Sequence, residues 1–124
     1  MCNGGPTKII VTVSATTANP APPGLSDGVT SLPIGGGNDA AFTTVVVAGQ
    51  QIQFVPAGDI TEITAIQEGS GSDIFKTDPT AANNWTGVIG SLPASDTREY
   101  TIFYNVKGAP GNPYRQDPKL QMKV

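Results

Sequence analysis

The chain has no histidine and a single cysteine, Cys2. Without imidazole the commonest general base at neutral pH is missing, and with it the Ser–His and Cys–His nucleophile systems. A lone cysteine cannot close an internal disulfide, so no disulfide framework supports the fold. Charged residues make up only 14% of the chain and aromatics 6%. No run of Lys or Arg exists, and the net charge is −3. That excludes binding of nucleic acid by displacement of counterions from phosphates. The longest purely apolar run, Val45–Ala48, is far shorter than the roughly 20 residues of a membrane helix. No charged segment followed by an apolar stretch opens the chain, so it shows no export signal. A cytoplasmic location is favoured, with a surface lipoprotein as the alternative if a leader was removed ahead of Cys2.

What is present is glycine, 15 residues, and proline, 11 residues, in a chain of 124. These residues punctuate the sequence with turns and argue against a helical bundle or coiled coil. The length fits one domain, residues 1–124, with an N-terminal arm over 1–6. Period-two alternation dominates. Ile9, Val11, Val13 and Ala15 share one face, with Thr12, Ser14 and Thr16 on the other. Residues 19–38, with four prolines and the Gly35-Gly36-Gly37 run, read as a long Pro/Gly-rich surface loop, with room for a short strand around Val29–Ile34. Phe42–Ala48 is rich in β-branched residues, and a turn at Ala48-Gly49-Gln50 leads into Gln51–Val55, where Ile52 and Phe54 alternate with glutamines. Ile60, Ile63 and Ile66 do not share one parity, so the inward face of Ile60–Gln67 is ambiguous, although its threonines favour strand over helix. Glu68–Asp73 reads as a loop, and Asp78–Asn83 as one short helical turn. Tyr100, Ile102, Tyr104 and Val106 share a face, as do Leu120, Met122 and Val124. About seven short strands separated by turn signals predict an all-β fold, a single Greek-key β-sandwich.

From Phe42 to Val124 the order of features resembles a cupredoxin-like sandwich. The landmarks are Gly49–Val55, the loop ending Asp73-Ile74-Phe75, Asn84-Trp85-Thr86-Gly87, Tyr100–Tyr104, and the closing Asp117-Pro118 strand to Val124. The pattern is also similar to immunoglobulin-like domains and to small bacterial sandwich proteins ending in an Asp-Pro strand. In cupredoxins a strand of the Tyr-x-Tyr/Phe type leads into a loop of copper ligands. Blue-copper sites need two imidazoles and a thiolate, usually with a thioether. Here Asn105–Gly111 supplies none of these, and Met122 alternates with core positions. The resemblance implies the fold and no copper chemistry, so no metal or other cofactor is expected.

The carboxylate pairs Asp59/Glu62, Asp73/Asp78 and Asp96/Glu99 are the remaining candidates for acid–base work. Each sits at a loop or strand end, where solvated turn residues are the rule, so no catalytic residue and no enzyme activity is expected. Gly69–Asp73 is Gly-rich but lacks the Gly-Lys-Ser/Thr ending of a phosphate cradle. With Asp78 and Asn83 it offers oxygen ligands to Ca²⁺, without the repeated Asp-x-Asp spacing of a dedicated calcium loop. Asn84-Trp85-Thr86 matches the N-glycosylation triplet, which arises often by chance.

The expected work is therefore contact. The leading reading is a structural or assembly module whose partner is another protein or further copies of itself. Cys2, Trp85 and Tyr114 form its candidate interaction surface, and the arm over 1–6 and the segment 19–38 act as contact segments. The alternative is a soluble binding module for carbohydrate or a small ligand, using Trp85 and Tyr114. Assembly by strand addition would require an edge strand without the Lys, Pro or bulge that blocks pairing. Lys8, at the start of the first strand, is a weak blocker. Charge is uneven: residues 1–75 carry one base and six acids, residues 76–124 six bases and four acids.

Overall fold

The computed structural model describes residues 8–35, 42–68, 74–111 and 113–123. Alternation sets the first strand, β1 (Ile9–Ala15), with Val11, Val13 and Ala15 fully buried and Thr12 and Ser14 facing outward. Ten more strands follow: β2 (Gly24–Ser26), β3 (Ser31–Leu32), β4 (Thr43–Val46), β5 (Gln51–Gly58), β6 (Ile60–Glu68), β7 (Phe75–Thr77), β8 (Thr86–Ile89), β9 (Thr97–Val106), β10 (Tyr114–Gln116) and β11 (Lys119–Met122). Seven of these eleven are four residues or longer, and the excess over the expected number lies in the short pieces β2, β3, β7 and β10. A 3-10 turn over Ala81–Asn83 is the helical turn expected near there.

One sheet runs β3-β2-β1-β5-β8-β7, with β1 and β5 parallel. In the other, β9 is central. It pairs β6 on one flank and, in unbroken register, β10 and then β11 on the other, while β4 lies parallel to β11. The sheets face each other over a shared core to which Val13, Ile52 and Phe54 contribute from the first and Tyr100, Ile102 and Leu120 from the second. The Phe54 and Tyr100 rings meet across it at 5.6 Å in a tilted arrangement, the offset geometry aromatic pairs prefer. Leu120 and Met122 are buried as their alternation predicts, whereas Val124 lies outside the described residues.

Within residues 19–38, β3 falls inside the stretch Val29–Ile34 where a short strand is expected, whereas β2 replaces what reads as loop; the two form a hairpin that extends the first sheet beyond β1. The glycines there do more than turn. A Cβ on Gly24 would stand 2.8 Å from Ser14 Oγ and 3.2 Å from Ile34 N, so a side chain there would force its neighbours to shift. Lys8 stands beside the half of β1 that β2 leaves unpaired, since β2 covers only Thr12–Ser14 while β5 runs along the whole strand.

The isoleucine ambiguity of β6 has a physical cause. Its register against β9 shifts between Ile60 and Glu62 and again between Ile63 and Ala65. Each bulge inserts a residue and reverses parity, so Ile60 and Ile63 are buried and Ile66 is packed against the core despite their three-residue spacing.

One end of the sandwich is tied at a single node. Asp59, between β5 and β6, accepts from Thr17 N at 3.0 Å, and Thr17 Oγ1 donates to the Lys107 carbonyl at 2.6 Å. Lys107 N donates back to the Asp59 carbonyl at 2.8 Å, so the segments after β1, β5 and β9 are bound together. Gly58 makes this corner possible. Its φ is +64°, and a Cβ there would lie 2.5 Å from the Ala15 carbonyl oxygen.

Candidate functional site

Most of the described carboxylates are engaged by turn amides or by side chains of the fold. Asp27 caps the β2–β3 turn: Val29 N and Thr30 N donate to its Oδ1 at 2.8 and 2.7 Å, and Thr44 Oγ1 donates to Oδ2 at 2.7 Å. Glu68 accepts from Ile74 N and Phe75 N. Glu62 accepts from Asn105 Nδ2 at 3.2 Å, and Asp96 pairs with Arg98 at 2.5 Å. Asp117 accepts from Thr101 Oγ1 at 2.7 Å and meets Arg115 at 3.4 Å. Asp73 and the Gly69–Asp73 segment lie outside the described residues. Asn83, considered with Asp78 as an oxygen donor for calcium, accepts from Thr80 N and Thr86 N and donates to the Asp78 carbonyl. Among the described residues no group of three or more His, Cys, Asp or Glu is placed to hold a metal ion. No helix among them is long and apolar enough to cross a membrane.

Of the three residues singled out as an interaction surface, Trp85 and Tyr114 are among the described residues. Cys2 lies outside the described residues, as does the arm over 1–6. Trp85 follows Asn84 in a pair of left-handed residues, both at φ 58°, that reverse the chain into β8. Its backbone is anchored at both ends: Trp85 N donates to the Thr80 carbonyl at 2.7 Å, and its carbonyl accepts from Phe54 N at 3.0 Å. The indole is half-buried, and the residue borders an open hollow of about 330 Å³ with Thr64, Ile66, Pro79 and Thr80. Tyr114 is committed to the β9–β10 connection. Its ring stacks on Tyr104 at 6.0 Å, and its hydroxyl accepts from Gly111 N at 2.9 Å.

The sheet edges distinguish themselves by how they are blocked. β3 has two residues and is followed by Pro33. β7 carries Lys76 and a register shift, and Asp78-Pro79 follows it. β6 is bulged twice, and β10 is three residues long with Arg115 at its centre. Short length, charge, proline and bulges are the standard protections against pairing with another chain. β4, Thr43-Thr44-Val45-Val46, has no charge, proline or bulge.

The backbone of β4 can be sorted group by group. Lys119 N donates to the Phe42 carbonyl and Lys123 N to the Val46 carbonyl, both at 2.9 Å. In a parallel ladder alternate residues face the partner. Phe42, Thr44 and Val46 therefore turn their backbone toward β11, and Thr43 and Val45 turn theirs outward. Beside this edge stand the most exposed large apolar side chains described, Val29 at 95% and Val45 at 55%. Between them lies a small hollow of about 100 Å³, lined by Ile9, Val29, Thr43 and Val45 with Asp27 beneath. Sequence reasoning missed this site. A run of β-branched residues without charge reads as a central strand, and only the sheet order shows it at an edge. The absence of a blocking residue in Thr43–Val47 was the available signal.

Among the described residues two buried side-chain polar atoms have no hydrogen-bond partner, Tyr100 Oη and Gln116 Nε2. Burial, and secondarily the charge of Asp27, push the Tyr100 phenol well above its ordinary pKa. No protein-family profile matches the chain, and a search of curated proteins finds no match.

Proposed function

We propose that this chain is a non-catalytic assembly module that acts through protein–protein contacts, including contacts between its own copies. The observation that carries this reading is the β4 edge, where outward backbone groups, exposed valines and the lack of any blocking residue coincide. The use of most described carboxylates as turn caps and ion-pair partners supports the non-catalytic part of it. For the fold, the finer reading is a cupredoxin-like, Greek-key sandwich. Its supports are the parallel pairs β1/β5 and β4/β11, which join each early strand to a later one within a sheet.

Sedimentation velocity of the untagged chain over a concentration series tests the self-contact. A mass rising reversibly above 12.7 kDa is the expected result, and a monomer at every concentration rejects it. A second reading, a carbohydrate-binding module, is favoured by one feature: Trp85 bordering a hollow with the hydroxyl-bearing Thr64 and Thr80. A glycan array without hits, or hits unaffected by Trp85→Ala, removes it.

A further inference from the structure

We infer that the partner at the β4 edge is the same edge of a second copy, joined antiparallel about a twofold axis that passes at Thr44. This rests on the assembly reading above and specifies its contact. The register follows from the backbone. An antiparallel hydrogen-bonded pair exchanges both N–H···O bonds between two residues, and successive pairs are two residues apart. Only Thr43 and Val45 of β4 point their groups outward, because Val47 N and the Val47 carbonyl are occupied by Gln50 Oε1 and Gln50 N. One register uses every outward group: Thr43 opposite Val45 of the second copy, Thr44 opposite its counterpart, and Val45 opposite Thr43. It makes four interchain hydrogen bonds and leaves no outward group of Thr43 or Val45 unpaired.

The side chains agree with this pairing. β4 is uncharged, so its self-pairing sets no like charges opposite one another. On the solvent face the cross-strand pairs are Thr–Val, β-branched on both sides, which favour strand pairing. Thr44 faces inward and already donates to Asp27, so the twofold pair needs no new partner. Val45 is covered, and Val29 flanks the joined strands. The second sheet becomes continuous through both copies. A four-residue pairing buries less than the roughly 1,200 Å² of stable complexes, so the dimer is weak and concentration-dependent.

The experiment combines sedimentation equilibrium with residue-resolved amide exchange on the full chain, from about 10 μM to 1 mM. The expected result is a reversible monomer–dimer equilibrium in which exchange at Thr43 and Val45 slows with concentration while Thr44 and Val46 are unchanged. Val45→Pro removes an outward N–H at an edge position where proline is tolerated, and Val45→Lys sets two ammonium groups diagonally across the joint. Each raises the dissociation constant about tenfold or more, the lysine variant less so at high salt. Val45→Thr keeps the backbone bonds and keeps the dimer. If the wild type associates but both disruptive variants associate equally well, the edge is refuted while the self-contact reading stands. If the wild type is monomeric throughout, both fall. Concentration-independent protection of Thr43 and Val45 means the chain covers its own edge, and overturns the inference.

Discussion

Tyr100 and Tyr104 stand four residues apart on β9, both rings fully buried, yet their hydroxyls should respond oppositely to deletion. Tyr104 Oη donates to the Pro20 carbonyl at 2.8 Å, whereas Tyr100 Oη has no partner. Burying a hydroxyl without a partner costs about 1–3 kcal/mol. Tyr100→Phe relieves that cost and loses only the contacts of one oxygen atom, a net gain of about 1 kcal/mol. For a domain of this size that is roughly 3–5 °C in Tm. Tyr104→Phe removes a real bond and should lose about 1 kcal/mol.

The alkaline limb separates this account from a packing effect. Burial raises the folded-state pKa of Tyr100, with the Asp27 charge adding to it, so ionisation favours the unfolded chain. Below the unfolded value near 10 the phenol is neutral in both states and its contribution to stability is intact. Above it the wild type loses about 1.4 kcal/mol per pH unit through this residue until the folded pKa is reached. The phenylalanine variant has no such loss. Its advantage should therefore grow from about 1 kcal/mol at pH 7 to about 2.5 kcal/mol at pH 11, read by urea unfolding followed by circular dichroism. Other groups titrate in both proteins and cancel in the difference. A destabilised Tyr100→Phe variant at pH 7 would mean the hydroxyl is bonded. A gap that stays flat to pH 11 would mean that solvent reaches the phenol in the folded state.

Gly58→Ala should cost at least about 2 kcal/mol in a urea melt, because it combines a left-handed φ with a Cβ pressed into the Ala15 carbonyl; an unchanged midpoint would show that the corner relaxes. Asp27→Ala removes acceptors from Val29 N, Thr30 N and Thr44 Oγ1 and should cost about 2 kcal/mol, while Asp27→Asn, which keeps one carbonyl acceptor, loses less. Equal losses in thermal melts of the two variants would refute the capping role.

Four strands were legible because each has one buried face and one wet face. In β9, β11, β1 from Val11 onward and the first half of β5, the buried residues follow a period of two, as the alternation predicts. β6 was not legible as to its face, since two bulges break the period that the sequence would need to show. β2 was hidden for a different reason, while β3 lies within the stretch Val29–Ile34 where a short strand is expected. Proline and glycine around β2 signal turns, but Gly24 also sits in a tightly packed strand position opposite Ser14, and a single residue type carries both messages.

The candidate site was legible only in the negative. Spacing along the chain could show that histidine, a paired thiol and a basic run are missing, because those are counts. It could not show where an edge falls, because an edge is a property of sheet order, and β4 is placed at one by a parallel pairing with β11 some 75 residues away. The same nonlocality explains Trp85 and Tyr114. Both are aromatics outside the alternating strand faces, and Tyr114 is held by Tyr104 and Gly111, a stacking partner and a loop amide that no periodicity reveals. An open backbone edge leaves almost no chemical signature in side chains. What it leaves is a protection withheld: in this sandwich β3, β6, β7 and β10 each carry a device against pairing, and β4 carries none.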